Sequence, residues 1–161
     1  MDDNSPENLY YEWEYRTILA ILYFHGKEIL WKKLCALFYL IHRKLKSQGI
    51  DEIDNIGFCI YPDLRDLDIV IDQEEEYSLY EKLCELENMG LITIKLEENS
   101  FKIILTEDGS KVVETIINDP EFKKEIDIIR TEVMESKKAS TWSLYKFILE
   151  ILKDELWNLE D

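Results

Sequence analysis

Few groups in this chain could do chemistry, and their spacing limits what they could do. His25 stands beside Gly26 at a turn, and His42 lies near the basic end of a helical stretch. Neither has a Cys, an Asp or the other His at a metal-site spacing, and neither has a nucleophile beside it. Both are read as structural or surface groups. Asp63, Asp66, Asp68 and Asp72 make a carboxylate-rich run whose oxygens would suit a divalent cation. The run lacks the EF-hand's glycine and its closing Glu, which favours solvated aspartates. Pro62-Asp63 invites comparison with the metal-dependent nuclease motif that ends in an acidic-x-Lys triplet. The triplet on offer, Thr93-Ile94-Lys95, has no acid. There is no phosphate loop, dinucleotide fingerprint or zinc pattern. The sequence therefore predicts a protein that is not an enzyme, with no catalytic residue, no metal and no cofactor.

Charged surfaces are the remaining functional signal. Lys32, Ala36, Tyr39, Arg43 and Lys46 recur at helical spacing with Lys33 and Lys44 beside them, and a basic stripe with an interleaved Tyr can contact nucleic acid. The alternative is a solvated face that balances acidic neighbours. Glu74, Ser78, Glu81 and Glu85 share one side of a later helix, with Lys82 among them, and Glu97 and Glu98 sit at the tip of the hairpin that follows. Gln73 to Met89 holds six acids and one lysine, a net of −5. A duplex would repel such a segment, because neutralising phosphates dominates DNA affinity.

The elements that must position these groups come from a chain of 161 residues, 46% apolar and 12% aromatic, long enough for one domain with a real core. The first fifty residues carry seven Lys/Arg against six Asp/Glu, so a net charge of −16 leaves −17 to residues 51–161. That field favours basic partners over polyanions. Cys35, Cys59 and Cys84 are odd in number and set among apolar residues, which suits reduced thiols in a cytoplasmic protein. Residues 1–8 form a polar leader with no secretory character. The longest uncharged run near the start, Leu34 to His42, is half a membrane span, so no membrane association is expected. The Ile-, Lys- and Glu-rich usage with few Gln suggests a thermophilic, archaeal-like source.

In chain order, Leu9 to Phe24 is predicted as a helix whose lower half is apolar on nearly every side and which is stopped by His25-Gly26. Ile29 to Ser47 is a second, closed by Gly49, with Trp31, Leu34, Cys35, Phe38, Ile41 and Leu45 in one stripe. Residues 50–73 look like short strands or an extended crossing punctuated by Pro62. A third helix from Glu74 to Met89, with Leu79, Tyr80, Leu83, Cys84 and Leu86 inside, stops at Gly90. Leu91 to Leu96 and Phe101 to Leu105 alternate as a hairpin around Glu97-Glu98-Asn99-Ser100. Thr106 caps a fourth helix, and Asp119 and Pro120 open a fifth. Ser140 or Thr141 starts the last.

Taken together, Leu86-Glu87-Asn88-Met89-Gly90-Leu91-Ile92 and Leu105-Thr106-Glu107-Asp108-Gly109 resemble the winged-helix regulators of bacteria and archaea, over about forty residues. The resemblance implies a mostly α fold with a small β-hairpin wing, a winged helix-turn-helix with extra N- and C-terminal helices. Residues 9–118 would be that domain, with an insertion at 50–73, and 119–161 a C-terminal helical extension that makes a homodimer. Phe122, Ile126, Ile129, Val133, Tyr145, Ile148, Leu149, Leu152 and Leu156 are the expected dimer interface, since a core of this size looks too small to cover them. Two functions follow. The preferred one is a regulatory module that presents its acidic face to a basic protein and self-associates. The other is a dimeric DNA-binding regulator that uses the basic stripe.

Overall fold

The computed structural model describes residues 12–50, 60–63, 68–71, 79–98 and 100–159. Its order is α1 (Trp13–Phe24), β1 (Glu28–Leu30), α2 (Trp31–Ser47), β2 (Ile60–Asp63), β3 (Asp68–Ile71), α3 (Leu79–Asn88), β4 (Ile92–Glu97), β5 (Ser100–Leu105), α4 (Glu107–Ile117), a 3-10 turn (Pro120–Phe122), α5 (Lys123–Ser136) and α6 (Thr141–Leu159). The chain is mostly helical, with a three-stranded antiparallel sheet in the order β1-β5-β4 and a separate β2-β3 pair. Among the described residues, no helix is long and apolar enough to cross a membrane.

Glycine ends three of these helices. Gly26, Gly49 and Gly90 adopt φ of +96°, +75° and +78° just past α1, α2 and α3, a conformation that a Cβ disfavours. Side chains open others. Thr106 Oγ1 accepts from Gly109 N at 3.1 Å, Asp119 Oδ1 from Glu121 N at 2.9 Å, and Ser140 Oγ from Ser143 N at 3.1 Å. After the Asp119 cap, however, the first turn is 3-10 and the α-helix begins only at Lys123.

The hairpin forms as the alternation predicts, with Ile94 opposite Ile103 and Leu96 opposite Phe101. Its strands run on to Glu97 and Ser100, so these two pair with each other rather than standing in the turn. A third strand was not expected. Ile29 and Leu30, predicted as the start of the second helix, are instead extended with Glu28 and pair with β5, Ile29 opposite Ile103, and the helix begins at Trp31. Three residues are too few for a periodic signal. Ile29, Ile92, Ile103 and Leu105 then face one apolar core with α1, α2, α3 and α4.

The terminal helices belong to that same core, which corrects the expected dimer interface. Phe122, Ile126, Ile129, Val133, Tyr145, Ile148 and Leu149 are buried within the chain itself, α5 against α1 and α2, and α6 against α2. They are not an outward surface. The side chains of Leu152 and Leu156 lie outside the described residues. Polar ties across the chain hold the helices in place. Arg16 donates to both carboxylate oxygens of Glu125 at 2.8 and 2.9 Å, with its guanidinium 4.1 Å above the Phe122 ring. Tyr145 donates to the Lys32 carbonyl at 3.1 Å and Lys124 to that of Gln48 at 3.3 Å.

Candidate functional site

The acidic face is built mainly by α3. Its sequence LYEKLCELEN buries Leu79, Leu83 and Leu86 and turns Glu81, Glu85 and Glu87 outward. Lys82, expected on the outer side, is buried instead, with its nitrogen 4.8 Å above the Tyr15 ring. The long stem packs inward while the ammonium meets an aromatic face. Tyr80, expected inside, is about half exposed and meets Trp31 edge-on at 6.2 Å. Cys84 is half-buried, and Cys35 fully so. The outer surface of α3 is thus more acidic than its sequence, because its one lysine faces inward.

Two of these glutamates have structural work as well. Glu85 accepts a hydrogen bond from the Tyr15 hydroxyl, which ties α3 to α1. Burial, and then the bond to Glu85, pushes the Tyr15 phenol well above its usual range. Glu87 Oε2 accepts from Ile94 N at 2.6 Å on the outer edge of β4. That bond occupies a backbone donor that could otherwise recruit another strand. At the hairpin tip, Glu98 is exposed at φ +52° and Glu97 lies 3.6 Å from Lys102 and 3.7 Å from Lys95. Glu74 and Ser78 lie outside the described residues.

The hairpin adds an apolar pair that sequence reasoning passed over. Leu96 is 66% exposed and Phe101 38%, directly opposite each other beside the turn. They continue the core-facing alternation past the point where helices cover it. That overrun is the signal that could have revealed them.

The basic stripe does not survive as a continuous face. Lys33 is buried and donates to the Lys137 carbonyl at 3.0 Å, and burial lowers its pKa. Arg43 lies 5.7 Å from the Tyr39 ring centre. Ala36, between them, is fully buried. Lys32 and Lys46 remain exposed near opposite ends of α2, and Lys44 lies 3.6 Å from Glu132 on α5. The strip is broken in the first half of α2, at Lys33 and Ala36, while Arg43, Lys44 and Lys46 stay together near its end.

His42 stacks on Trp13 at 5.6 Å. The His25 Nδ1–H donates to the Glu28 carbonyl at 2.7 Å, which leaves the lone pair on Nε2, buried and without a hydrogen-bond partner. Burial lowers the His25 pKa, the bond to Glu28 opposes this, and the charges of Lys33 and Lys137 add to the lowering. Among the described residues, no three His, Cys, Asp or Glu are grouped to hold a metal. Asp63 and Asp68 pair in register across β2 and β3, while Asp66, Asp72 and Cys59 lie outside the described residues.

Between α2, α5 and α6 lies an open trough of about 700 Å³. Leu40, Leu144, Phe147 and Ile151 give it an apolar side, and charged residues of α2 and α5 form its rims. It arises where two consecutive helices both pack on α2, nearly eighty residues or more earlier in the chain, so no local pattern announces it.

No known family, curated protein or solved structure matches the chain. What it does must therefore be argued from these surfaces alone.

Proposed function

We propose that the chain is a non-enzymatic, regulatory winged-helix module that works through contact with a basic protein and through self-association. The layout supports this. A helix, a short strand, a second helix, the inserted β2-β3 pair, a third helix and a hairpin follow one another, and β1 pairs with the hairpin's second strand as the third member of the sheet. In that layout α3 takes the place of the helix that would enter a major groove.

The observation that carries the functional half is the outer surface of α3. Glu81, Glu85 and Glu87 face outward, while Lys82 is turned under Tyr15. DNA affinity rests on neutralised phosphates, and three carboxylates with no outward cation on this helix oppose that contact. The Leu96–Phe101 pair, with Glu97 and Glu98 beside it, gives a partner of basic and apolar character a second foothold. The broken stripe on α2 offers the DNA-binding reading little support.

Fluorescence anisotropy with a labelled duplex at low and moderate salt tests the choice. The wild-type chain is expected to bind no more tightly than weak non-specific association. Glu81→Lys combined with Glu87→Lys should raise duplex affinity, whereas Arg43→Ala with Lys46→Ala should leave it unchanged. Tight wild-type binding that vanishes with Arg43 and Lys46 would overturn this reading in favour of DNA.

A further inference from the structure

A chain with net charge −16 repels its own copy at long range. Self-association therefore needs a place where both signs stand beside apolar surface, and the trough between α5 and α6 is such a place. Both helices pack on α2, and Leu40, Leu144, Phe147 and Ile151 line the open space among the three.

We infer that a second copy of this chain docks in the trough, with α6 lying two-fold against α6 and Phe147 of each copy entering the trough of the other. This rests on the self-association proposed above and assigns it a surface. Phe147 is 53% exposed although it lines the trough beside Ile151, and the buried Leu40 and Leu144 lie beneath. The rims favour a copy over a partner of one charge sign. Arg43, Lys44 and Lys46 stand on the α2 side, and Glu132 and Glu135 on the α5 side. A uniformly basic partner meets the first rim unfavourably, and a uniformly acidic one the second. Under a two-fold axis each rim meets the opposite rim of the other copy, so the surface is self-complementary. The Lys44–Glu132 contact at 3.6 Å within one chain already brings the two signs together across the trough.

Analytical ultracentrifugation over a range of micromolar concentrations tests this, with circular dichroism to verify that each variant is folded. The wild-type chain sediments as a dimer. Phe147→Glu raises the dissociation constant by about thirty-fold or more, the scale of a central interface anchor. Lys46→Glu and Glu135→Lys each weaken the dimer when alone. Mixed in equal amounts, these two restore a heterodimer, because each unfavourable pair becomes a favourable one.

A wild-type monomer at every concentration overturns both this inference and the self-association beneath it. A dimer indifferent to all three substitutions overturns the trough alone and leaves self-association standing. Single variants that weaken the dimer but fail to complement each other overturn the two-fold arrangement. An apolar dye that binds a wild-type monomer, and is lost with Phe147→Glu, gives the trough to a small ligand and overturns the inference.

Discussion

Removing the Glu125 carboxylate should be among the most damaging single changes outside the apolar core. Arg16 is 1% exposed and Glu125 5%, and the two are joined by a bidentate pair across 109 residues. In Glu125→Ala the guanidinium keeps the Phe122 ring on one side but loses both of its carboxylate acceptors. A buried pair broken on one side costs about 3–5 kcal/mol. For a chain of this size, about 2–4 °C of melting temperature accompanies each kcal/mol, so a fall of roughly 6–20 °C is expected. Replacing both partners together, Arg16→Met with Glu125→Leu, removes the stranded charge and should recover most of the loss. Urea denaturation of the wild type, both single variants and the double variant closes a mutant cycle. The coupling should exceed about 2 kcal/mol and change little with salt, because buried pairs are poorly screened. A single-variant cost below about 1 kcal/mol would refute the view that this pair clamps α5 to α1.

Other perturbations test separate parts of the fold. A Cβ at Gly109 would collide with the Leu91 carbonyl and come within 2.6 Å of Leu105 Cδ1, so Gly109→Ala should cost about 1–3 kcal/mol by denaturant titration despite its better helix propensity. Thr106→Ala loses the α4 cap and the 2.7 Å bond to the Gly90 carbonyl, for about 1–2 kcal/mol, while Thr106→Ser keeps most of that. The lowered pKa of His25 gives a signed pH dependence. Above about pH 6.5 the ring is neutral in both folded and unfolded chains. As pH falls from there towards the folded pKa, the unfolded chain takes up the proton first and stability drops. Urea midpoints measured at neutral and mildly acid pH should therefore fall more steeply for wild type than for His25→Gln. Equal slopes would remove His25 as a cause.

Local rules recovered much of the fold from the sequence. Gly26, Gly49 and Gly90 mark helix ends because each must take a positive φ, and Thr106, Asp119 and Ser140 mark helix starts because each supplies an acceptor to a free N–H. The two halves of the winged-helix-like phrase turn out to be bonded to each other. Thr106 Oγ1 donates to the Gly90 carbonyl, Thr106 N donates to that of Leu91, and Gly109 lies against the same Leu91 oxygen. What escaped the sequence depends on distance or on side-chain direction. β1 is recognisable only once β5 lies beside it. Lys33 and Lys82 count as polar in any periodic pattern, yet their stems pack inward and their nitrogens meet a carbonyl and a ring. The Arg16–Glu125 clamp joins two residues that no window spans. Without it, the apolar seam from Phe122 to Val133 looks like a surface that needs a second subunit.

Those buried and paired cations also bear on function. Of the seven basic residues in the first fifty, Arg16 and Lys33 face inward, and Lys44 lies close to Glu132. Farther along, Lys82 is buried, Lys102 stands between Glu28 and Glu97, and Arg130 pairs with Asp127 at 2.7 Å. Each ion pair among these neutralises one acid for the cation it holds, whereas Lys33 and Lys82 are turned inward onto a carbonyl and a ring. The acidity of the outer surface is therefore set by composition, and folding adds to it locally on α3, where Lys82 is turned inward. A polyanion would meet this surface at its least favourable, and a cationic partner at its most. Both signs do survive side by side in the trough, so the self-association proposed above would meet the least local repulsion there.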